Sequence, residues 1–452
     1  MRQWPNEPMI RYFGFGNSDA ILINDLRVYK DVLHTQCYNF VRTTAFRRLI
    51  MDIIGVGLVF AEGNEHKRQR KILGGLFTVS NVKSYLNVFQ GKAMMLAEEI
   101  DKLISKNGGI MDAKLAYSKV TLDVIGIFAL GMELKNLDEP TEFLDCYQTV
   151  FDLDTTGQIL AAINTIVPIR WLAWLPVPTS NRKFVQANAT LRRVLSQITQ
   201  KRIDEVTAGK TNARSQIQGS PNKDLLTFMV EEKFMSEKDP WTKADLVEQV
   251  LNFVATGHET TASALTWATY TLGNYPDVTK KLRLETLEVL KRNPSPSFSD
   301  IENMQYLDNF TRETLRVNCP VNGIDRQAIQ DCVIAGQPIK KGTILMPIPS
   351  VISYNPNVWG EDAEVFNPDR WDRLSGAAAD PVAFAAFGYG PRSCIGKAVA
   401  LLNFKTIIME LVTRFDFEAM QKGKIEVVNP SGQLRPKGPM WVKVSRALDV
   451  VA

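Results

Sequence analysis

One stretch of the sequence decides the fold, and it reads Phe387-Gly388-Tyr389-Gly390-Pro391-Arg392-Ser393-Cys394-Ile395-Gly396. Its glycines and proline predict a loop, and apolar residues at helical spacing after Cys394 predict a helix that begins there. The free N–H groups and the dipole at the start of that helix stabilise a thiolate, and Arg392 adds a positive charge. Small residues also let the backbone approach a flat cofactor closely. We therefore predict that Cys394 is a reactive or metal-binding cysteine and not an inert buried thiol.

The other cysteines and histidines do not suggest a second metal site. The five cysteines are far apart and form no C-x-x-C, and no two of the three histidines have metal-ligand spacing. This distribution argues against a zinc ribbon, a redox pair of cysteines and a secreted disulfide framework, and it favours a reducing compartment. Metal chemistry is therefore expected to rest on a single cysteine or on a cofactor.

The charge pattern and the hydropathy exclude two further classes of protein. The formal net charge is +4, and the basic residues are spread along the chain instead of forming a patch or a tail. There is no uninterrupted apolar run of about 18 residues and no signal peptide. We expect neither nucleic-acid binding nor a membrane-spanning segment within this sequence.

Strand-like patterns are confined to about residues 8–45, 327–350 and 423–446, and most of the remainder has helical patterns interrupted by Pro and Gly. The pattern predicts a mainly α protein with a smaller β part. Because the β segments come from both ends of the chain, residues 1–452 are expected to form a single domain. The stretch 208–223, rich in Gly, Ser, Asn, Thr and Lys, predicts an exposed loop.

A long central helix is predicted from Thr242, which forms a capping signal with Asp245, to about Tyr270. At about 1.5 Å per residue, such a helix crosses a whole domain. Its middle reads Ala255-Thr256-Gly257-His258-Glu259-Thr260-Thr261. A glycine, an acid and several threonines in a buried helix violate local preferences, and such violations are typical of functional sites.

The Cys394 stretch matches, at every fixed position of F-x-x-G-x-R-x-C-x-G, the haem-binding signature of the cytochrome P-450 superfamily, and the chain resembles that family over essentially its whole length. The resemblance implies the P-450 fold, with haem b (iron protoporphyrin IX) between the central helix and the helix after the Cys loop. Cys394 is then the thiolate ligand of the iron, and Phe387, Gly388 and Gly396 contact the cofactor. Thiolate ligation favours O–O cleavage, unlike the ligation in globins.

The resemblance also implies partners for the two haem propionates. Arg70 falls on a position that pairs with a propionate, and Arg326 and Arg392 fall on two others. Arginine suits this task because its guanidinium stays charged and binds a carboxylate with two N–H groups. His66 stands where many relatives carry Trp, and it either donates a ring N–H to a propionate or packs beside it.

Glu313 and Arg316 resemble the E-x-x-R pair of the family, and Arg370 resembles the residue that completes this buried triad on the proximal side. The pattern alone is weak, because Glu65 and Arg68 also satisfy it and such pairs ordinarily lie on a solvated helix face. The order of the motifs along the chain favours Glu313 and Arg316 as the structural pair.

On the distal side, Glu259 and Thr260 fall on the acid and alcohol positions of the family's oxygen-activation sequence. An acid and an alcohol can deliver protons to reduced dioxygen. The alternative is that the threonine side chains bond to backbone carbonyls and kink the helix, without any chemical role. Asn322 is an unusual polar group that we expect to orient a substrate. The resemblance places the substrate-binding walls near residues 50–58 and 429–433 and at Ala255, Thr256, Val321, Asn322 and Ile324.

The reaction implied is insertion of one oxygen atom from O2 into a small, largely apolar molecule. Electrons would come from NADPH through cytochrome P-450 reductase, with cytochrome b5 as a further candidate partner. Two alternatives stay open: a haem-thiolate isomerase, dehydratase or oxidative-coupling enzyme, and a non-catalytic haem sensor. The alcohol retained at Thr260 favours oxygenation.

The resemblance is to the fungal microsomal branch, and this implies a monomer on the cytosolic face of the endoplasmic reticulum membrane. Relatives there begin with a membrane anchor that this sequence is expected to lack through truncation or engineering. The Trp- and Pro-rich segment 166–178 is expected to dip into the bilayer surface or to pack in the core. A basic cluster is expected to dock the reductase or to be solvated surface charge, and it comprises Lys67, Arg68, Lys71 and Lys397.

Overall fold

The computed structural model describes residues 4, 6–14, 18–139, 141–167, 179–209, 223–237, 240–421, 423, 425–428 and 433–447. Most of the predicted loop 208–223 lies outside these residues. So do positions 168–178 of the Trp- and Pro-rich segment and positions 429–432 of the predicted substrate wall.

Helices form most of the described chain, as predicted. In chain order they are α1 (Leu26–Lys30), α2 (Thr44–Ile54), α3 (Gly63–Leu73), α4 (Val79–Ser84), α5 (Leu86–Asn107), α6 (Ala113–Ile125), α7 (Glu142–Phe151), α8 (Thr155–Asn164), α9 (Thr179–Thr207), α10 (Leu225–Met229), α11 (Lys243–Asn274), α12 (Pro276–Arg292), α13 (Phe298–Glu302), α14 (Gln305–Val317), α15 (Pro349–Ser353), α16 (Pro356–Trp359) and α17 (Lys397–Arg414). No helix in the described part of the chain combines the length and the hydropathy that a membrane span requires.

The strands are short and lie mostly where the sequence predicts them. They are β1 (Met9–Phe13), β2 (Asp19–Ile23), β3 (Phe40–Val41), β4 (Ile110–Asp112), β5 (Arg326–Ala328), β6 (Cys332–Ile334), β7 (Gln337–Ile339), β8 (Ile344–Met346), β9 (Phe415–Ala419), β10 (Val427–Val428), β11 (Arg435–Pro436) and β12 (Trp441–Arg446). β4 and β9 fall outside the predicted β regions. β4 is a three-residue edge strand between two helices, and β9 follows α17 directly, so neither gives a separate pattern in the sequence.

The largest described sheet joins distant parts of the chain in the order β1-β2-β8-β5-β3. β2 pairs with β8 in parallel, with Ala20 opposite Ile344, and β5 pairs antiparallel with both β8 and β3. A second sheet has β12 between β4 and β9. Strands from the two ends of the chain thus complete the same sheets.

The central helix α11 begins and is capped as predicted. The Thr242 side chain accepts from the Asp245 N–H, and the Asp245 carboxylate accepts from the Thr242 N–H at 2.8 Å. The helix continues unbroken to Asn274, four residues beyond the predicted end. Gly257 allows close packing with α6, because a Cβ at this position would lie 2.7 Å from Cδ1 of Ile125. The glycine therefore serves contact between helices and does not break α11.

Candidate functional site

A cavity lies between α11 and the loop that precedes α17. Its lining includes Cys394 from the loop and Thr260 from α11, and most of its remaining wall is apolar. Predicted residues that line it as well are Phe387, Gly388, Gly396, Arg70, His66, Arg326, Arg392, Thr256, Val321 and Ile324. Residues up to 330 positions apart along the sequence, and predicted from separate motifs, therefore meet around one space.

The Cys394 loop is fixed by its own backbone and by its neighbours. The Cys394 N–H donates to the Phe387 carbonyl at 2.8 Å. Gly390 has a φ of 71°, and a Cβ at this position would collide with the Leu33 carbonyl oxygen, so only glycine fits there. α17 begins three residues after Cys394. The predicted delivery of a cysteine to a helix start is thus present.

The electrostatics of Cys394 differ from the prediction. Burial raises the pKa of its thiol, and this effect outweighs the lowering by the Gly396 N–H, Arg70 and Lys397. Arg392, which the sequence suggested as the stabilising charge, instead donates to the Ala61 carbonyl at 2.9 Å and forms an ion pair with Glu62. The side chain is nevertheless exposed to the open cavity. A cation such as iron bound there would hold it as the thiolate.

Arg70 and Arg326 lie on the cavity wall without a carboxylate within ion-pair distance. Arg70 donates to the carbonyl of Ser393 at 2.6 Å and lies 3.3 Å from its hydroxyl. Arg326 donates to the backbone carbonyl of Asp325 at 2.9 Å, and its Nε has no hydrogen-bond partner. Burial and the neighbouring Arg42 and Arg392 lower the pKa of Arg326 to about 9. Such unbalanced positive charge favours an anionic ligand.

His66 is buried beside the same group of arginines. Its Nδ1 lies 3.1 Å from the Tyr38 hydroxyl. Burial, together with the nearby positive charges of Arg392 and Arg70, lowers the pKa of His66 to about 4. The neutral ring therefore has Nδ1 free to accept from Tyr38, which leaves the N–H on Nε2.

Arg42 is a wall residue that the sequence analysis missed. It lies 5.0 Å above the Phe46 ring, and its closest described carboxylate is Asp325 at 4.0 Å. Its Nε has no hydrogen-bond partner. A single arginine after a two-residue strand belongs to no recognisable motif. Only the folded structure shows that Arg42 lines the same cavity as the other three arginines.

These observations test whether haem fits the site. Within the described residues, the ionisable groups on the wall are Cys394, His66, Tyr389 and four arginines, and none is a carboxylic acid. A cofactor with two carboxylates and an iron that accepts a thiolate fits this set, because arginine pairs with carboxylate and cysteinate with iron. Apolar side chains, including Val399 of α17 and Phe253 of α11, offer contacts for a flat apolar ring.

Thr260 and Glu259 are neighbours in α11 but face different spaces. The Thr260 hydroxyl lines the cavity and donates to the Thr256 carbonyl at 2.8 Å. Glu259 lies on a separate cleft, of about 540 Å³, between α6, α7, α11 and β11. Successive residues of a helix point about 100° apart, which separates the acid from the alcohol.

Arg435 holds the Glu259 carboxylate in that cleft. Its Nη1 lies 3.0 Å from Oε1 of Glu259, and its Nη2 lies 3.0 Å from Oδ1 of the more exposed Asp152. His258 lies 3.8 Å from Oε2 of Glu259, and burial lowers the pKa of this histidine. The acid is therefore positioned by a buried arginine that the sequence did not indicate.

Two predicted substrate residues lie apart from the cavity. Ala255 is fully buried in α11 and is not among the described lining residues. The Asn322 side chain is not on the wall either, because its Nδ2 donates to the Ser350 hydroxyl at 2.7 Å and its Oδ1 accepts from the Ser350 N–H at 3.0 Å. The Asn322 amide thus fixes α15 and is not free to orient a ligand.

The predicted structural triad is present. Glu313 and Arg316 are fully buried, and Arg316 donates to both carboxylate oxygens of Glu313 at 2.8 Å. Arg370 reaches the same carboxylate at 3.0 Å from its Nε, and so does the indole N–H of Trp371. This network joins α14 to the segment that leads towards the Cys394 loop.

Comparison with known proteins agrees with the geometry. Residues 7–444 match the family model described as Cytochrome P-450. The chain is 29% identical to cytochrome P-450 monooxygenase sphH of Aspergillus fumigatus, over 98% of this chain and 82% of the relative. It is 29% identical to monooxygenase ptmK of Penicillium ochrochloron, over 98% and 86%, and 30% identical to monooxygenase 128 of Postia placenta, over 87% and 76%. The chain belongs to the cytochrome P-450 family of haem-thiolate monooxygenases.

Proposed function

We propose that this chain inserts one oxygen atom from O2 into a small, largely apolar molecule of fungal secondary metabolism, with Cys394 as the iron ligand. The proposal is based on one observation: one cysteine and four arginines line a cavity whose described wall contains no Asp or Glu. When bound, haem supplies a thiolate-ligated iron that reduces O2 and cleaves its O–O bond. Arg42, Arg70, Arg326 and Arg392 bind its two carboxylates, with the N–H of His66 as a further donor.

The protein's own residues bind the substrate and supply protons. The apolar residues of α2 and α11 exclude water from the substrate, and Val321 and Ile324 contact it from the opposite loop. The Thr260 hydroxyl donates a proton into the cavity. Glu259, on the other face of α11, takes up protons through water in the separate cleft that also reaches Asp152, and water passes them on to Thr260.

Partners and location follow from the same proposal. Electrons come from NADPH through cytochrome P-450 reductase, with cytochrome b5 as a second donor, and the reductase docks on the cluster of Lys67, Arg68, Lys71 and Lys397. The protein acts as a monomer at the cytosolic face of the endoplasmic reticulum. On α8 and just after it, Ile159, Ile163 and Val167 are exposed at helical spacing, which supports contact of this region with a membrane surface.

The test of the iron ligand is Cys394→Ser. The reduced, carbon-monoxide-bound wild type should show the red-shifted Soret band of a thiolate haem, and the variant should lose it. Cys332→Ser is the matched control, because Cys332 is a partly exposed cysteine of β6 that does not line the cavity. Retention of the band in Cys394→Ser would remove Cys394 from the site.

The test of proton delivery is Thr260→Ala. Product per NADPH should fall at least about tenfold, with hydrogen peroxide or superoxide making up the difference, while haem content stays unchanged. Thr286→Ala is the control, because Thr286 makes the same bond to a carbonyl four residues earlier, at 2.8 Å, but lines neither the cavity nor the Glu259 cleft. If Thr260→Ala forms as much product per NADPH as the wild type, this result would favour the isomerase, dehydratase or oxidative-coupling reaction instead.

A further inference from the structure

We infer that the substrate is an uncharged molecule with one neutral hydrogen-bonding group, such as a hydroxyl or a carbonyl, and that the carboxamide of Gln433 binds this group. The inference rests on the proposed function, since it takes the cavity to contain haem. It adds the charge class of the substrate and a residue that determines specificity.

The charge class follows from the ionisable groups around the cavity. Four arginines, at positions 42, 70, 326 and 392, meet two carboxylates, which are Glu62 paired with Arg392 and Asp325 near Arg42. The group therefore carries two excess positive charges, and His66 adds none because it is neutral. The two carboxylates of haem balance this excess in full. No described cation on the cavity wall remains for an acidic substrate, and a buried carboxylate without a partner is strongly disfavoured.

Gln433 is the polar group left for a neutral substrate. It is buried on the cavity wall, and its side chain makes no hydrogen bond with any residue that the structure describes. Its backbone is fixed, because it pairs with Val321 and the next N–H, of Leu434, donates to the Pro320 carbonyl at 2.7 Å. Because this amide faces the cavity without protein partners, a ligand that completes its hydrogen bonds gains affinity.

The other polar side chains on this wall already use their donors within the protein. The Asn252 amide donates to the Ile54 carbonyl at 3.1 Å. The hydroxyls of Thr121, Thr256 and Thr261 donate to carbonyls four residues earlier in their helices. Asn403 of α17 also lines the cavity with an unpartnered Oδ1, but it belongs to the helix that follows Cys394. Gln433 is the described lining amide outside that helix whose donor and acceptor are both available.

The experiment uses three ligands that differ in one terminal group: 1-hexylimidazole, 6-(imidazol-1-yl)hexan-1-ol and 6-(imidazol-1-yl)hexanoic acid, each repeated with a nine-carbon chain. Their imidazole binds the haem iron of the loaded enzyme and shifts the Soret band, so that each affinity is read without knowledge of the substrate. The acid should bind at least about tenfold more weakly than the alkyl compound. The alcohol should bind best at one of the two chain lengths.

Two variants assign these differences to residues. Gln433→Leu should weaken binding of the alcohol about three- to tenfold and leave the alkyl compound unchanged. Gln330→Leu, a control at an exposed glutamine away from the cavity, should change neither. Arg42→Gln should not affect the preference against the acid, and Arg47→Gln controls for the loss of a positive charge outside the cavity.

Three outcomes would overturn the inference. The acid binds as well as the neutral ligands, or it binds better and loses its advantage in Arg42→Gln, or the alcohol is indifferent to Gln433→Leu. Failure of the proposed function looks different, because a protein without thiolate-bound haem lacks the red-shifted carbon-monoxide band, whatever shifts the three imidazoles produce.

Discussion

The chain contains two glutamate–arginine pairs with identical spacing and very different surroundings. Glu65 and Arg68 lie 2.5 Å apart at the surface of α3, and both side chains are 42% exposed. Glu313 and Arg316 lie 2.8 Å apart in α14, and both side chains are fully buried. The pair with the shorter distance is expected to contribute less, because solvent screens it and both side chains lose conformational freedom. The expected contribution of each pair to stability therefore depends on its burial and on its number of partners, and not on the distance between the two charged groups.

The buried pair also has partners beyond itself. Glu313 accepts from Arg370, from the Trp371 indole and from the backbone N–H of Asn367 at 2.9 Å. Arg316 donates to the carbonyls of Ser353 and Ala363. Each charge is therefore compensated only while every partner stays in place, so the loss of one side chain leaves several groups unsatisfied.

The largest expected effect is that of Arg316→Ala. It leaves the Glu313 carboxylate buried without its main partner, at a cost of about 3–5 kcal/mol. We expect little folded, haem-loaded protein, as measured by the carbon-monoxide spectrum per milligram and by thermal melting. Wild-type haem content and melting in this variant would contradict the ranking of the two pairs.

A second prediction concerns a buried arginine that lacks a protein carboxylate. Arg326→Met should destabilise the haem-loaded protein by about 1.5–3 kcal/mol, because a bond to a charged group is lost. In haem-stripped protein the same change should be neutral or stabilising, since burial of the unbalanced charge already lowers the pKa of Arg326 to about 9. Urea titrations of both forms measure the difference. Equal losses in both would show that Arg326 is paired within the protein.

A smaller effect is expected for Arg370→Met. Arg370 shares the Glu313 carboxylate with Arg316, and it also pairs with Asp362, whose side chain is 52% exposed. Because Arg316 remains in place, we expect a loss of about 1–2 kcal/mol. A double-mutant comparison with Glu313→Gln checks this value. A loss as large as that of Arg316→Ala would mean that the two arginines are equivalent.

The smallest effect is expected for Arg68→Ala, the matched counterpart of Arg316→Ala. An exposed pair contributes about 0–1 kcal/mol, and salt screens it. The melting temperature should change little, and any change should disappear at 1 M salt. A salt-independent loss of several kcal/mol would show that the surface pair has a structural role.

The sequence alone predicted the features that depend on local order along the chain. The Cys394 loop, the capped start of the central helix and the E-x-x-R pair of α14 are each contiguous, so their residue types are sufficient. The mainly α fold with strands from both parts of the chain is also confirmed.

What the sequence did not predict depends on contacts between distant segments. Arg42 and Arg435 reach their positions through short strands that carry no motif. Asn322 looked available because its partner, Ser350, is 28 residues away. The sequence could have predicted the separation of Glu259 from Thr260, because neighbouring residues of a helix cannot share a face. Roles in the site itself remain predictions that the variants above test.

The parallel pairing of β2 with β8 has a consequence for synthesis of the protein. Ala20 leaves the ribosome roughly 320 residues before Ile344, its partner, and at typical elongation rates of about 5–20 residues per second this takes on the order of 15–65 seconds. During that time the β1–β2 hairpin has an unsatisfied edge with Ile21 and Leu22 in it. Chaperones that cover nascent hairpins, or faster elongation between these strands, should therefore raise the yield of soluble protein more than any change near the haem site.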